Sequence, residues 1–403
     1  MPSGRPAACG FGLERLLFSE GSTPAPTGRA RAWRQTRLLC WPKISGWGTP
    51  PPFLQREAMK NIDRYWDCLD QAMEASHGGR TDEALAWLDE ALVAHPEGAE
   101  AHNGRGEILW DEGRVDEALH EFERSLNADP KFITAHLNRV ELLVEDMGEF
   151  LKAVSLCDEM LAGNPAFPRL DRPSEAEVYY LKAKSAFYLD DLEGSLFLVR
   201  RALKTGGEVP IYRAFEGQIL FELGRFVEAR RSLEIAAALD PESGHAIYHL
   251  ALVLERLGAD DEAAEAFARA NALDPCHYPL PVEIDEADFQ QAAAEAFDNL
   301  PRSIRDYVEN VPILVEDYPP DDMLGRENVS PQILGLYVGV PATEDLATDQ
   351  PGDLTRVILF KKNLEKVCHD RSDLIDQIQI TVRHEVGHHL GLSEDDLERL
   401  GLA

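Results

Sequence analysis

Proline returns through the middle of this chain at Pro96, Pro130, Pro165, Pro241 and Pro275, at spacings of 34, 35, 76 and 34 residues. A small residue keeps the same beat at Ala84, Ala118, Ala153, Ser195, Ala229 and Ala263. So does a turn signal, at Gly79-Arg80, Gly113-Arg114, Gly148-Glu149, Asp190-Asp191, Gly224-Arg225 and Gly258-Ala259. A fixed period of this length leaves little choice of fold. Each period is one supersecondary unit, and such units stack because none can bury its apolar face alone. Within a period the buried-type residues fall at helical spacing. Ser195, Val199 and Ala202, for example, lie at i, i+4 and i+7. Each unit therefore reads as two amphipathic helices, brought close by small residues. The proline then stops the second helix.

This pattern resembles the tetratricopeptide repeat. The family's small position in the first helix maps to Ala72, Gly106, Ala183, Gly217 and Ala251. Its second-helix alanine maps to Ala84, Ala118, Ala153, Ala229 and Ala263, and its later alanine to Ala91, Ala202, Ala236 and Ala270. The third unit is irregular, with Glu141 where a small residue is expected, and "AFPRLDRPSEAE" separates it from the fourth. The fourth unit has Gly207 in place of the proline. Six units are expected over residues 64–275, in a repeat domain spanning 59–278. The resemblance implies an α-helical solenoid whose concave face binds a protein or peptide partner. No cluster of Lys, Arg or Asn identifies a carboxylate-binding groove, so the ligand is unnamed.

Charge narrows the choice of partners. The net charge of −32 disfavours nucleic acid and anionic membrane and favours basic ligands. No run of 18 apolar residues is present, so no membrane span is expected. The six cysteines (Cys9, Cys40, Cys68, Cys157, Cys276 and Cys368) lie far apart, with no C-x-x-C pair. That spacing suits reduced thiols in the cytoplasm. Residues 1–58 are unlike the rest, with seven Arg and one Lys against three Glu and no helical or strand period. They are expected to be disordered. The acidic, helical composition begins at "MKNIDRYWD", which makes Met59 the expected native start.

The period changes after Pro279 and Pro281. A helical stretch over 286–311, broken near Pro301, precedes β-type runs at 311–318, 333–340 and 356–360. A long helix is expected from Ser372 to Leu390, giving the order α, β, β, β, α in a domain over 284–403. That helix carries "HEVGHHLG". His384 and His388 lie one turn apart on one face, the spacing at which two imidazoles grip a single Zn²⁺. Glu385, beside them, is placed to hold a water and take its proton. Gly391 can end the helix and turn the chain back. The acids that follow supply the third-ligand candidates, Glu394 first, then Asp395, then Asp396. His389 points about 100° away from His388 and is read as supporting the ligands or simply packing.

The region 286–402 resembles the small zincin-like metallopeptidases. The likeness extends beyond the motif through "VPILVEDYPPDDMLGRE", "LGLYVGVP" and "RVILFKKNLEKVC". It implies a compact α/β zincin core, with His384 and His388 as zinc ligands and Glu385 as general base. The family often carries Asp at the third-ligand position, where this chain has Glu394. The expected function is a zinc-dependent metallopeptidase whose repeats recruit partner or substrate. The alternatives are a non-enzymatic scaffold with a structural or vestigial zinc site, and hydrolysis of a non-peptide amide.

Overall fold

The computed structural model describes residues 52–300, 305, 311–324, 329–339 and 356–392. Most of the segment expected to be disordered lies outside them, as do Glu394, Asp395, Asp396 and the side chain of His389. The described chain begins in helix, however. The first helix starts at Pro52, so residues 52–58 are helical and the structural boundary does not fall at Met59. The described residues form two compact units, divided after Gly207.

The first unit is a succession of antiparallel helix pairs: α1 (Pro52–His77) with α2 (Thr81–Ala94), α3 (Ala99–Asp111) with α4 (Val115–Ala128), α5 (Ile133–Glu145) with α6 (Phe150–Leu161), and α7 (Arg172–Tyr188) with α8 (Leu192–Gly206). The small residues of the repeat pattern sit where helices meet. Ala72, Ala84, Ala91, Ala118, Ala153, Ala183 and Ala202 are all buried. A Cβ added at Gly106 would come 2.5 Å from the Phe122 ring, so any larger residue there would force α3 away from α4. Ser195 spans the same kind of contact by donating from Oγ to Ala183 O at 2.7 Å. The turn glycines Gly79, Gly113 and Gly148 have positive φ, and Asp190 takes the same conformation at 62° in the fourth turn.

Two details depart from the sequence reading. The third turn is one residue longer than the second: Glu149 N donates to Leu143 O, whereas Arg114 N donates to Leu109 O. The packing position therefore falls on buried Val140, and Glu141 is half-buried. The stretch between the third and fourth pairs also contains less loop than expected. Arg172 and Pro173 already lie in α7, and Asp171 caps that helix by accepting from Ser174 N at 2.9 Å.

The second unit opens with two further helix pairs, α9 (Pro210–Glu222) with α10 (Phe226–Leu239) and α11 (Gly244–Arg256) with α12 (Asp260–Leu273). The C-terminal fold follows: α13 (Glu286–Asp298), β1 (Ile313–Glu316), β2 (Gly335–Val338), β3 (Arg356–Phe360), α14 (Lys361–Val367) and α15 (Arg371–His389). The sheet order is β1-β3-β2. β3 is central, parallel to β1 and antiparallel to β2, with Gly335 opposite Leu359 and Tyr337 opposite Val357. Phe289 and Ala293 of α13, Val357 and Leu359 of β3, and Leu374, Ile378 and Val382 of α15 form one core.

The strands fall inside the apolar runs that marked them. The short helix α14 is an addition to the expected α, β, β, β, α order. Its sequence, KKNLEKV, is polar, yet Lys361, Asn363, Glu365 and Lys366 are buried. They tolerate burial because each has a partner. Lys361 meets Glu365 at 2.5 Å, Lys366 meets Glu255 of α11 at 2.5 Å, and Asn363 holds two backbone carbonyls.

Candidate metal and catalytic site

The site is carried by α15, which is well defined at both ends. Asp370 caps its start, accepting from Ser372 N at 2.8 Å and Asp373 N at 3.0 Å. Its apolar stripe, Leu374, Ile378, Val382 and Val386, repeats every four residues and packs into the core. At the end Gly391 has φ 79°, and Leu392 N turns back to Gly387 O at 3.1 Å. Glycine ends the helix as its place in the sequence suggests.

His384, Glu385 and His388 lie on this helix beside the apolar stripe, only 5, 5 and 9% exposed. The two imidazole Nε2 atoms face each other at 3.0 Å, with ring centroids 4.7 Å apart and planes at 84°. Two nitrogens sharing one tetrahedral zinc at about 2.0–2.1 Å would lie about 3.3 Å apart. The observed approach is close to that value, so the pair fits a shared metal ion. Among the described residues no group of three His, Cys, Asp or Glu side chains completes a ligand set.

Glu385 is covered by backbone. A Cβ added at Gly335, the first residue of β2, would lie 2.7 Å from Thr381 Cγ2 and 3.1 Å from Glu385 Cγ. The strand thus lies directly on the turn of α15 that bears the carboxylate. In the described sheet β2 pairs with β3 along one edge only. The residues entering β2 are fixed by Asn363, whose Nδ2 donates to Pro331 O and Ile333 O, each at 2.8 Å. Cys368 closes the core behind α14, and burial pushes its thiol up to about 12, so it stays protonated and unreactive.

Sequence reasoning did not find Gly335 or Asn363. A glycine inside an apolar strand run does signal close backbone approach, but it does not say what approaches. A second histidine pair at the same spacing, His245 and His249 on α11, was also passed over. Its ring centroids are 4.4 Å apart, and burial holds His249 well below the usual histidine range. No third ligand accompanies it among the described residues.

Fold and site together define a helical-repeat protein ending in a small mixed α/β domain with a histidine–glutamate helix. Comparison with known proteins makes this specific. The family model for zincin-like metallopeptidases matches residues 308–402, and that for the tetratricopeptide repeat matches residues 69–131 and 216–275. The chain carries tetratricopeptide repeats and a C-terminal zincin-like metallopeptidase domain. Among solved structures, Pseudomonas aeruginosa PilF is 16% identical, covering 59% of this chain and 99% of its own, with a TM-score of 0.45. PilW, a widely conserved type IV pilus biogenesis factor, is 18% identical, covering 52% and 94%, with a TM-score of 0.46. A thermophilic TPR protein of Thermus thermophilus is 21% identical, covering 49% and 98%, with a TM-score of 0.39. No curated protein matches the chain.

Proposed function

We propose that the C-terminal domain is a zinc-dependent metallopeptidase and that the tetratricopeptide repeats bring it a protein partner or substrate. The observation that carries this reading is the 3.0 Å approach of the His384 and His388 Nε2 atoms, with Glu385 on the same helix face beneath β2. His384 and His388 would hold the metal, and Glu394 of the following segment is the first candidate for a third ligand. Zinc at such a site supplies Lewis-acid polarisation of a carbonyl and lowers the pKa of water. Glu385 takes the proton of the attacking water and passes it to the leaving amine. Its burial keeps bulk water from competing for the carboxylate. The edge of β2 that is unpaired among the described residues aligns an extended peptide by backbone hydrogen bonds, as added strands do elsewhere. Glu385 itself speaks against a purely structural zinc, which has no use for a general base.

The partner would lie on the concave face of the repeats, as an extended peptide or a helix. The compartment is cytoplasmic in this reading, consistent with free thiols at Cys68, Cys157, Cys276 and Cys368. The deciding experiment pairs metal analysis with the Glu385→Gln variant. The variant should keep one zinc per chain, lose about 10²–10⁴-fold in turnover and retain its substrate in a pull-down. A wild-type protein that holds zinc yet cleaves nothing in a broad peptide library points to the scaffold reading. A protein that takes up no metal removes the hydrolase reading.

A further inference from the structure

The strand over Glu385 is held from two sides, one of them outside the zincin-like fold. Glu222 is the last residue of α9, the first helix of the fifth pair. Its Oε1 accepts from Gln332 Nε2 at 2.8 Å, across 110 residues of sequence. Gln332 is buried and lies just ahead of β2. On either side of it, Pro331 O and Ile333 O accept from Asn363. Next, Leu334 O accepts from Phe360 N at 2.9 Å. Then comes Gly335, packed so closely on α15 that an added Cβ would lie 2.7 Å from Thr381 Cγ2 and 3.1 Å from Glu385 Cγ. Packed interiors transmit small displacements and do not absorb them. A shift of residues 331–334 is therefore a shift of β2 over the carboxylate.

We propose that Glu222 is a positioning residue for the C-terminal site, so that the fifth repeat helps set the placement of β2 over Glu385. The catalytic consequence rests on the peptidase reading above; the structural coupling does not. Loss of this hydrogen bond leaves the domain attached. Lys366 still meets Glu255 at 2.5 Å, and Arg256 still meets Asp321 at 2.7 Å and Pro319 O at 3.0 Å. Anything that moves the end of α9 then moves the substrate-aligning strand, giving the repeats a route to regulate turnover.

The test compares full-length Glu222→Leu and Glu222→Gln with wild type. Glutamine keeps an acceptor for the Gln332 amide and leucine does not. Amide hydrogen exchange at 335–338 is read first, with α10 and α12 as internal controls. The cobalt-loaded protein supplies a visible spectrum of the metal site, and peptide turnover gives kcat and KM. Glu222→Leu should speed β2 exchange about 10-fold against unchanged controls. It should lower kcat about 10-fold or more while KM stays within about 2-fold. Glu222→Gln should restore both. Wild-type exchange in Glu222→Leu overturns the proposal. So does failure of Glu222→Gln to restore it, or equal acceleration in β2 and the controls. If wild type binds cobalt but cleaves no peptide, the peptidase reading fails separately, and exchange still decides the positioning.

Discussion

Gly335 and Glu385 share a boundary where one carbon atom decides the fit. The strand can lie on α15 only because residue 335 has no side chain, as the 2.7 Å and 3.1 Å approaches of an added Cβ show. Gly335→Ala should cost about 1–3 kcal/mol, the usual penalty for overpacking a closed contact. Thermal unfolding of the full chain reads that loss. The nearest obstacle is the Thr381 methyl, so adding Thr381→Ser should recover a good part of it. No recovery in the double variant would place the strain elsewhere. At this scale the sequence was informative wherever function lies within one helix turn. His384, Glu385 and His388 could be read as a set because helix geometry alone puts them on one face. Gly335 meets Glu385 only through the packing of strand on helix, which no local pattern encodes. Glu394, Asp395 and Asp396 fall outside the described residues.

Among the elements, α15 is the one whose sequence and structure agree most closely. Its cap, stripe and terminal glycine all follow local rules, and it spans Arg371–His389 against an expected Ser372 to Leu390. The cap makes a clear prediction. Asp370→Ala removes the acceptor for two backbone amides and should cost about 1 kcal/mol, measured by chemical denaturation. The cap lies at the opposite end of the helix from the histidines, so zinc affinity should be unchanged. A fall in affinity would mean that the start of α15 orients its end. The helix pairs were nearly as legible, because small residues mark most of the close approaches and prolines most of the stops. The element that escaped was α14. Lys361, Asn363, Glu365 and Lys366 are residue types that favour the surface, and only their partners explain their burial. The third pair misled for the opposite reason, since one extra residue in its turn shifted the packing position from Glu141 to Val140 and lengthened the period only from 34 to 35 residues.

In the molecule's second unit, the last repeats and the zincin-like domain meet through contacts of very different weight. Arg256 lies between the Phe226 and Tyr318 rings, 4.9 and 4.8 Å from their centroids, but its ion-pair partner Asp321 is 82% exposed. Such a pair contributes little, and Arg256 acts chiefly through its stacking. Lys366 and Glu255 are the opposite case. Their side chains are 3 and 13% exposed, and Lys366 also lies 5.0 Å from the Tyr318 ring. Burial draws the Lys366 ammonium below its usual pKa, and the Glu255 carboxylate opposes that shift. Removing the carboxylate leaves a buried charge without its ion-pair partner. Glu255→Leu should therefore destabilise the full chain by about 3–5 kcal/mol in urea denaturation. Adding Lys366→Met removes the stranded charge and should recover more than half. If the double variant were no more stable than Glu255→Leu alone, charge burial would not be the cause, and the docking of the domain would rest on shape and the Arg256 stack.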